Sequence, residues 1–218
     1  VRQVNLPWTD RNSMTLKKIH SISGLTISFF IALHLFNHCF SISGADKHLA
    51  VMKTLRVFYR NIFTETLLVS SAAIQIFSGL KLFVIKRQTA KSFFEKLQIW
   101  TGLYLSFFFL IHLSAVLTGR FVLHLDTNFY FGAAGLNTFP FNLFFIPYYF
   151  FAVVSFFGHI SAIHHQRMSR SISVFTPYKQ SIVILISGIC FALFLIYGLT
   201  NKFRGFQIPA AFNILIGK

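Results

Sequence analysis

The chain has 218 residues, of which 55% are hydrophobic and 11% charged, and its mean hydropathy is +0.64. Twenty Lys and Arg stand against five acids, a net charge of +15. A soluble domain carries roughly 25% charge, so this chain cannot cover itself with polar side chains; an ordinary soluble enzyme, a disordered tail and a fibrous repeat are excluded, and an integral membrane protein is left.

The polar opening from Val1 shows no signal peptide. The first apolar run covers 19–43, the second 62–85, the third 97–118, the fourth 142–165 and the fifth 180–200. Each reaches the roughly 20 residues that a helix needs to cross a bilayer. The expectation is an all-α integral membrane bundle of five transmembrane helices, a single membrane domain over 1–218. No ten-residue alternation suggests a β-barrel. The basic residues fall between these runs and do not gather into a stripe, so they suit lipid headgroups and not nucleic acid.

Arg2, Arg11, Lys17, Lys18, Lys86, Arg87, Lys91, Lys96, Arg167, Arg170 and Lys179 lie on the side of the N-terminus. Fewer basic residues lie on the other side, a bias that places the N-terminus inside. The longest connection, 119–141, reads as irregular from Gly132, Gly135 and Pro140, and the tail 203–218 as interfacial or protein-bound. Glu65 is the one acid within a span. Cys39 and Cys190 sit inside apolar runs, which argues against a disulfide framework or a Cys-ligated metal. The phenylalanines, Phe29, Phe30, Phe107, Phe108, Phe109 and Phe156 among them, fill lipid-facing and core volume.

The first run carries His20, His34 and His38, the third His112, and the fourth His159, His164 and His165. His48 and His124 fall in connections and read as solvated. Imidazole within a bilayer is costly and usually has a partner or cofactor. His34 and His112 each lie about 15 residues past the inner start of their helices, roughly 22 Å deep. Two histidines at one depth suit the two axial positions of a b-type haem, in which both faces of one macrocycle are ligated. No CxxCH is present, so such a haem is not covalently held. Two other readings stay open: histidines bonded to helix backbone or to each other, and a zinc or copper site, for which convergent acids or cysteines are wanting. His38, one turn beyond His34, suits a haem propionate, a quinone pocket, a competing ligand, or equally structural packing with Asn37. His159 lies roughly 10 Å deep. A second haem there wants a partner from the second run, which has no histidine but offers Gln75 and Ser78. His20 or a partner subunit could supply it instead.

Lys18-Ile19-His20-Ser21-Ile22-Ser23-Gly24, with His34 fourteen residues after His20, resembles the first helix of the succinate dehydrogenase and fumarate reductase cytochrome b subunits, in the single-chain, five-helix form. Ile111-His112-Leu113 with Thr118-Gly119-Arg120 is similar to that family's third helix. Phe157-Gly158-His159 with Phe175-Thr176-Pro177 is similar to its fourth. The resemblance covers about residues 17–180. It implies a membrane anchor of the respiratory chain, in an energy-transducing inner or cytoplasmic membrane. That anchor transfers electrons between a quinone and a partner carrying flavin and iron–sulfur centres. It implies His34 and His112 as haem axial ligands and His159 as a second-haem ligand whose family partner falls near Gln75. Haem propionate or quinone contacts fall to His20, Ser23, His38, Gln75 and His165. Where the family often has Arg after its first His, this chain has Ser21.

His34-Leu35-Phe36-Asn37-His38, with His159 and His165, is also similar to the cytochrome-b-like anchors of some bacterial adenylate cyclases. Three functions therefore remain open: a subunit of an oxidoreductase complex, a haem- or quinone-sensing signalling anchor, and a structural membrane subunit that has lost its haems. The chain has no nucleotide-binding fingerprint and no cysteine set for a cluster, so those centres belong to partners.

Overall fold

The computed structural model describes residues 8–218, with side chains from residue 14 onward; Arg2 and the Arg11 side chain lie outside the described residues. Seven α-helices make up the described chain: α1 (Trp8–Cys39), α2 (Ala45–Tyr59), α3 (Ile62–Lys86), α4 (Phe93–Phe121), α5 (Phe129–Leu136), α6 (Asn142–Arg167) and α7 (Pro177–Leu199). Short 3-10 turns cover Phe40–Ser43 and Ala210–Ile216. Among the described residues there is no β-strand. Five of these segments are long and apolar enough to cross a membrane: Met14–Ser43, Ile62–Lys86, Phe93–Phe121, Asn142–Arg167 and Pro177–Leu199. The chain is an all-α multi-pass bundle whose apolar outer faces meet lipid.

Local chemistry sets the helix starts. The Asn61 side chain accepts the Thr64 amide at the head of α3. Ser92 and Glu95 form a reciprocal capping box on α4, and Thr176 caps α7 with Pro177 in its first turn. Each satisfies amides that a helix N-terminus leaves open.

The spans form a ring in the order α1, α3, α4, α6, α7, and it closes where α7 meets α1 and the Phe40–Ser43 turn. We call the end where α1 begins the near end and the opposite end the far end. α1 has no extended contact with α4 or α6. α1 therefore faces α4 and α6 across the ring interior. Many of the buried interior positions are small: Ser23, Ser71, Ala72, Ser78, Ser106, Ala152 and Ser155.

The close-packed apolar core lies at the far end. Ala45, Phe129, Ala133, Leu136, Ile196 and Leu199 form it, joining α2, α5 and α7. Asn137 fastens this cap: its side-chain amide donates to the Leu199 carbonyl at 3.0 Å and its oxygen accepts the Phe206 amide at 3.1 Å. The connection 119–141 is thus more ordered than its glycines suggest, since α5 packs inside it. The tail packs on protein, with the Ala210–Ile216 turn seated against α5. Arg56 and Arg60 pair with Asp126 at 2.9 and 3.5 Å, and Arg120 pairs with Glu65. These bridges tie the α2–α3 corner to α4 and its following loop.

Candidate functional site

Two groups of histidines occupy the ring interior. The far-end group is a continuous chain. His34 on α1 faces His112 on α4, with ring centroids 6.3 Å apart and planes at 67°. His34 Nε2 and His38 Nε2 are hydrogen-bonded at 3.1 Å, and His38 Nδ1 bonds His48 Nε2 at 3.0 Å. A neutral imidazole donates through one nitrogen and accepts through the other, so His38 can serve both neighbours at once. Asn37 Nδ2 reaches His48 Nε2 at 3.3 Å. Phe108 stacks on His112 at 5.1 Å and 12°. Phe30 stacks on His34 at 5.7 Å.

His48 corrects the reading of a solvated loop residue. It lies on α2 and is fully buried, beneath the Phe129 ring at 4.9 Å. Burial, with the charges of His34 and Arg56, pushes it down to about 4. The buried residues of α2, Ala45, His48 and Met52, recur at helical spacing, a weak signal among the charged residues between them. His124, by contrast, is exposed as expected.

The near-end group joins α1, α3, α4 and α6. His20 Nδ1 bonds Ser78 Oγ on α3 at 2.7 Å. His159 Nδ1 on α6 donates to the Gln98 carbonyl on α4 at 3.0 Å. Gln75 Nε2 donates to the His20 carbonyl at 2.6 Å and Ser23 Oγ at 2.7 Å, so this side chain joins α1 to α3. The two glycines between them are closely packed against neighbouring side chains. A Cβ on Gly79 would meet Ser106 Oγ at 2.8 Å and His20 Cε1 at 3.7 Å, and one on Gly102 would meet His159 Cε1 at 3.2 Å.

His165 sits apart from both groups, stacked on Phe94 at 4.0 Å and edge-on to Tyr178. His164 Nε2 bonds Gln180 Oε1 at 2.9 Å, joining α6 to α7.

The spacing of the far-end pair can be compared with that of the two axial positions of a haem. Two metal–nitrogen bonds of about 2 Å, plus the reach from each nitrogen to its ring centre, put axial imidazole centroids roughly 6 to 6.5 Å apart. The 6.3 Å between His34 and His112 falls in that interval. Coordination at His34 Nε2 would replace its bond to His38, leaving His38 tied to His48. Among the described residues no three His, Cys, Asp or Glu converge as a chelate for a bare ion. The histidines run as a chain instead, with His38 using opposite nitrogens toward His34 and His48.

No family model, curated protein or solved structure matches the chain.

Proposed function

We propose that this protein is a membrane-anchor cytochrome b subunit. It transfers electrons between a quinone in the bilayer and a flavin and iron–sulfur partner, as in succinate:quinone or quinol:fumarate oxidoreductases. The observation that carries the reading is the His34–His112 juxtaposition across the ring. Neither helix packs along the other, so helix packing alone does not account for two imidazoles meeting there.

His34 and His112 would hold a haem b, which when bound supplies one-electron transfer with both axial positions filled and none open for oxygen. The chain's own residues do the rest. Phe30 and Phe108 flank the two imidazoles and restrict their rotation. His38 and His48 extend the polar contact of His34 toward α2. The far-end core of α2, α5 and α7 covers this end and excludes water. Flavin, iron–sulfur centres and the substrate site belong to partners, since this chain carries no motif for them.

The test is a dithionite-reduced minus oxidised spectrum of the protein purified with its native partners, with haem counted per chain. Low-spin b-type bands support the reading. Absence of haem in such material overturns it in favour of a structural anchor. Co-purification with a cyclase or kinase, and no flavoprotein, overturns it in favour of a signalling anchor.

A further inference from the structure

We infer that the near end of α6 carries a binding site for an anionic phospholipid of the surrounding leaflet, with Arg167 taking the phosphate and Ile160 and Ile163 taking an acyl chain. The site is separate from both histidine groups and does not depend on the chain holding haem.

An open groove of about 380 Å³ lies along α6, lined by Ile160, Ile163, His164, Arg167 and Met168. The first four stand at i, i+3, i+4 and i+7, so they share one helix face. Met168 leaves the helix with extended backbone and forms the upper lip. From Ile160 to Arg167 the helix rises roughly 10 Å. Arg167 is the last residue of the span Asn142–Arg167, at the level where hydrocarbon gives way to headgroups. The groove is therefore apolar at the depth of an acyl chain and cationic at the depth of a phosphate.

Arg167 is exposed, and among the described residues its guanidinium has no hydrogen-bond or ion-pair partner. Glu95 is the one acid at this end among the described side chains, and the Lys91 and Ser92 amides already occupy it. An arginine fork left open in this way fits two oxygens of a phosphate. His164 does not compete for it. Gln180 donates its amide to the Arg170 and Phe175 carbonyls, so its oxygen accepts, and His164 Nε2 spends its proton there. The same three bonds tie the turn 168–176 to α6 and α7. That turn exposes Ile172, Val174 and Phe175, side chains that suit a leaflet better than water. A free anion would leave Ile160 and Ile163 unused. The acidic side chain of a soluble partner would not descend below the end of the span to reach them. A lipid uses both halves of the groove.

The experiment is native mass spectrometry of the full-length chain in neutral detergent, titrated with dioleoyl phosphatidylglycerol and, separately, with dioleoyl phosphatidylcholine. The wild type should retain phosphatidylglycerol in preference to phosphatidylcholine. Arg167→Gln should weaken phosphatidylglycerol about tenfold and remove the preference. Arg167→Lys should fall between the two, since the charge remains without the fork. Ile163→Trp should block the retained lipid with Arg167 intact, and Lys202→Gln at the far end should change nothing. Equal retention of both lipids by the wild type, or a preference that survives Arg167→Gln, overturns the site. Displacement of the lipid by inorganic phosphate assigns the groove to a free anion and overturns it as well.

Discussion

The rings of His34 and His112 meet at 6.3 Å on two helices that do not pack along each other. A contact so placed depends on both side chains, and the surrounding stacks of Phe30 and Phe108 leave room for truncation without disturbing a helix–helix seam. On the proposed function, His112→Ala and His34→Ala should each abolish haem binding at the far end while all spans remain inserted. Haem counting and protease mapping of the loops check this together. Retention of full haem content in either variant would sink the assignment.

His48 makes α2 sensitive to acid. Its ordinary value is 6.5 and burial lowers it to about 4, so the folded state resists a proton that the unfolded segment accepts. The stability held by neutral His48 is present above about 6.5 and is lost as pH falls from there toward 4. The full loss is on the order of 3 kcal/mol. Hydrogen-exchange protection of the α2 amides, corrected for intrinsic rates, should fall over that window. His48→Asn should flatten the dependence; protection unchanged by pH in the wild type contradicts the argument.

The α6–α7 seam is set by small residues. A Cβ on Gly188 would lie 2.2 Å from Phe157 Cβ, while Ser161 Oγ donates to the Ser181 carbonyl at 2.6 Å within a fully buried contact. Gly188→Leu should overpack this seam and cost about 1 to 3 kcal/mol. The expected readout is a lower thermal midpoint in detergent with haem content per folded chain unchanged, since α7 carries none of the candidate ligands.

Glu65 and Arg120 join α3 to α4 as a partly shielded pair. Glu65→Gln leaves Arg120 within electrostatic reach of Arg60, which Asp126 partly compensates. A loss of about 1 to 2 kcal/mol is expected, below that of a fully buried pair. It should show as earlier release of the far-end cap on denaturant titration. Arg120→Gln in the same background should recover part of the loss, because the two changes share one interaction.

The five spans were legible because hydropathy needs no tertiary information: the apolar run at 62–85 became Ile62–Lys86, and that at 142–165 became Asn142–Arg167. Equal depth of His34 and His112 was legible for the same reason, since helical rise converts position into height. Rotation about each helix axis was not. Spans that are apolar on most faces leave their orientation unspecified, so the pairing of His20 with Ser78 and of His159 with Gln98 depends on which helices are neighbours in the ring. The short helices α2 and α5 were also missed as elements. Asp46, Lys47, Lys53 and Arg56 masked the buried face of α2, and α5 is only two turns long inside a glycine-containing connection.

The order of helices around the ring also sets an order in time. α1 and α4 supply the whole far-end pair, so that pair is complete once the third long span has left the ribosome. His159 arrives only with α6, and the close-packed far-end core closes only when α7 delivers Ile196 and Leu199. A nascent chain stalled after α4 would already hold one complete imidazole pair before its cover exists. The far-end pair would thus form before α7 delivers the residues that cover it.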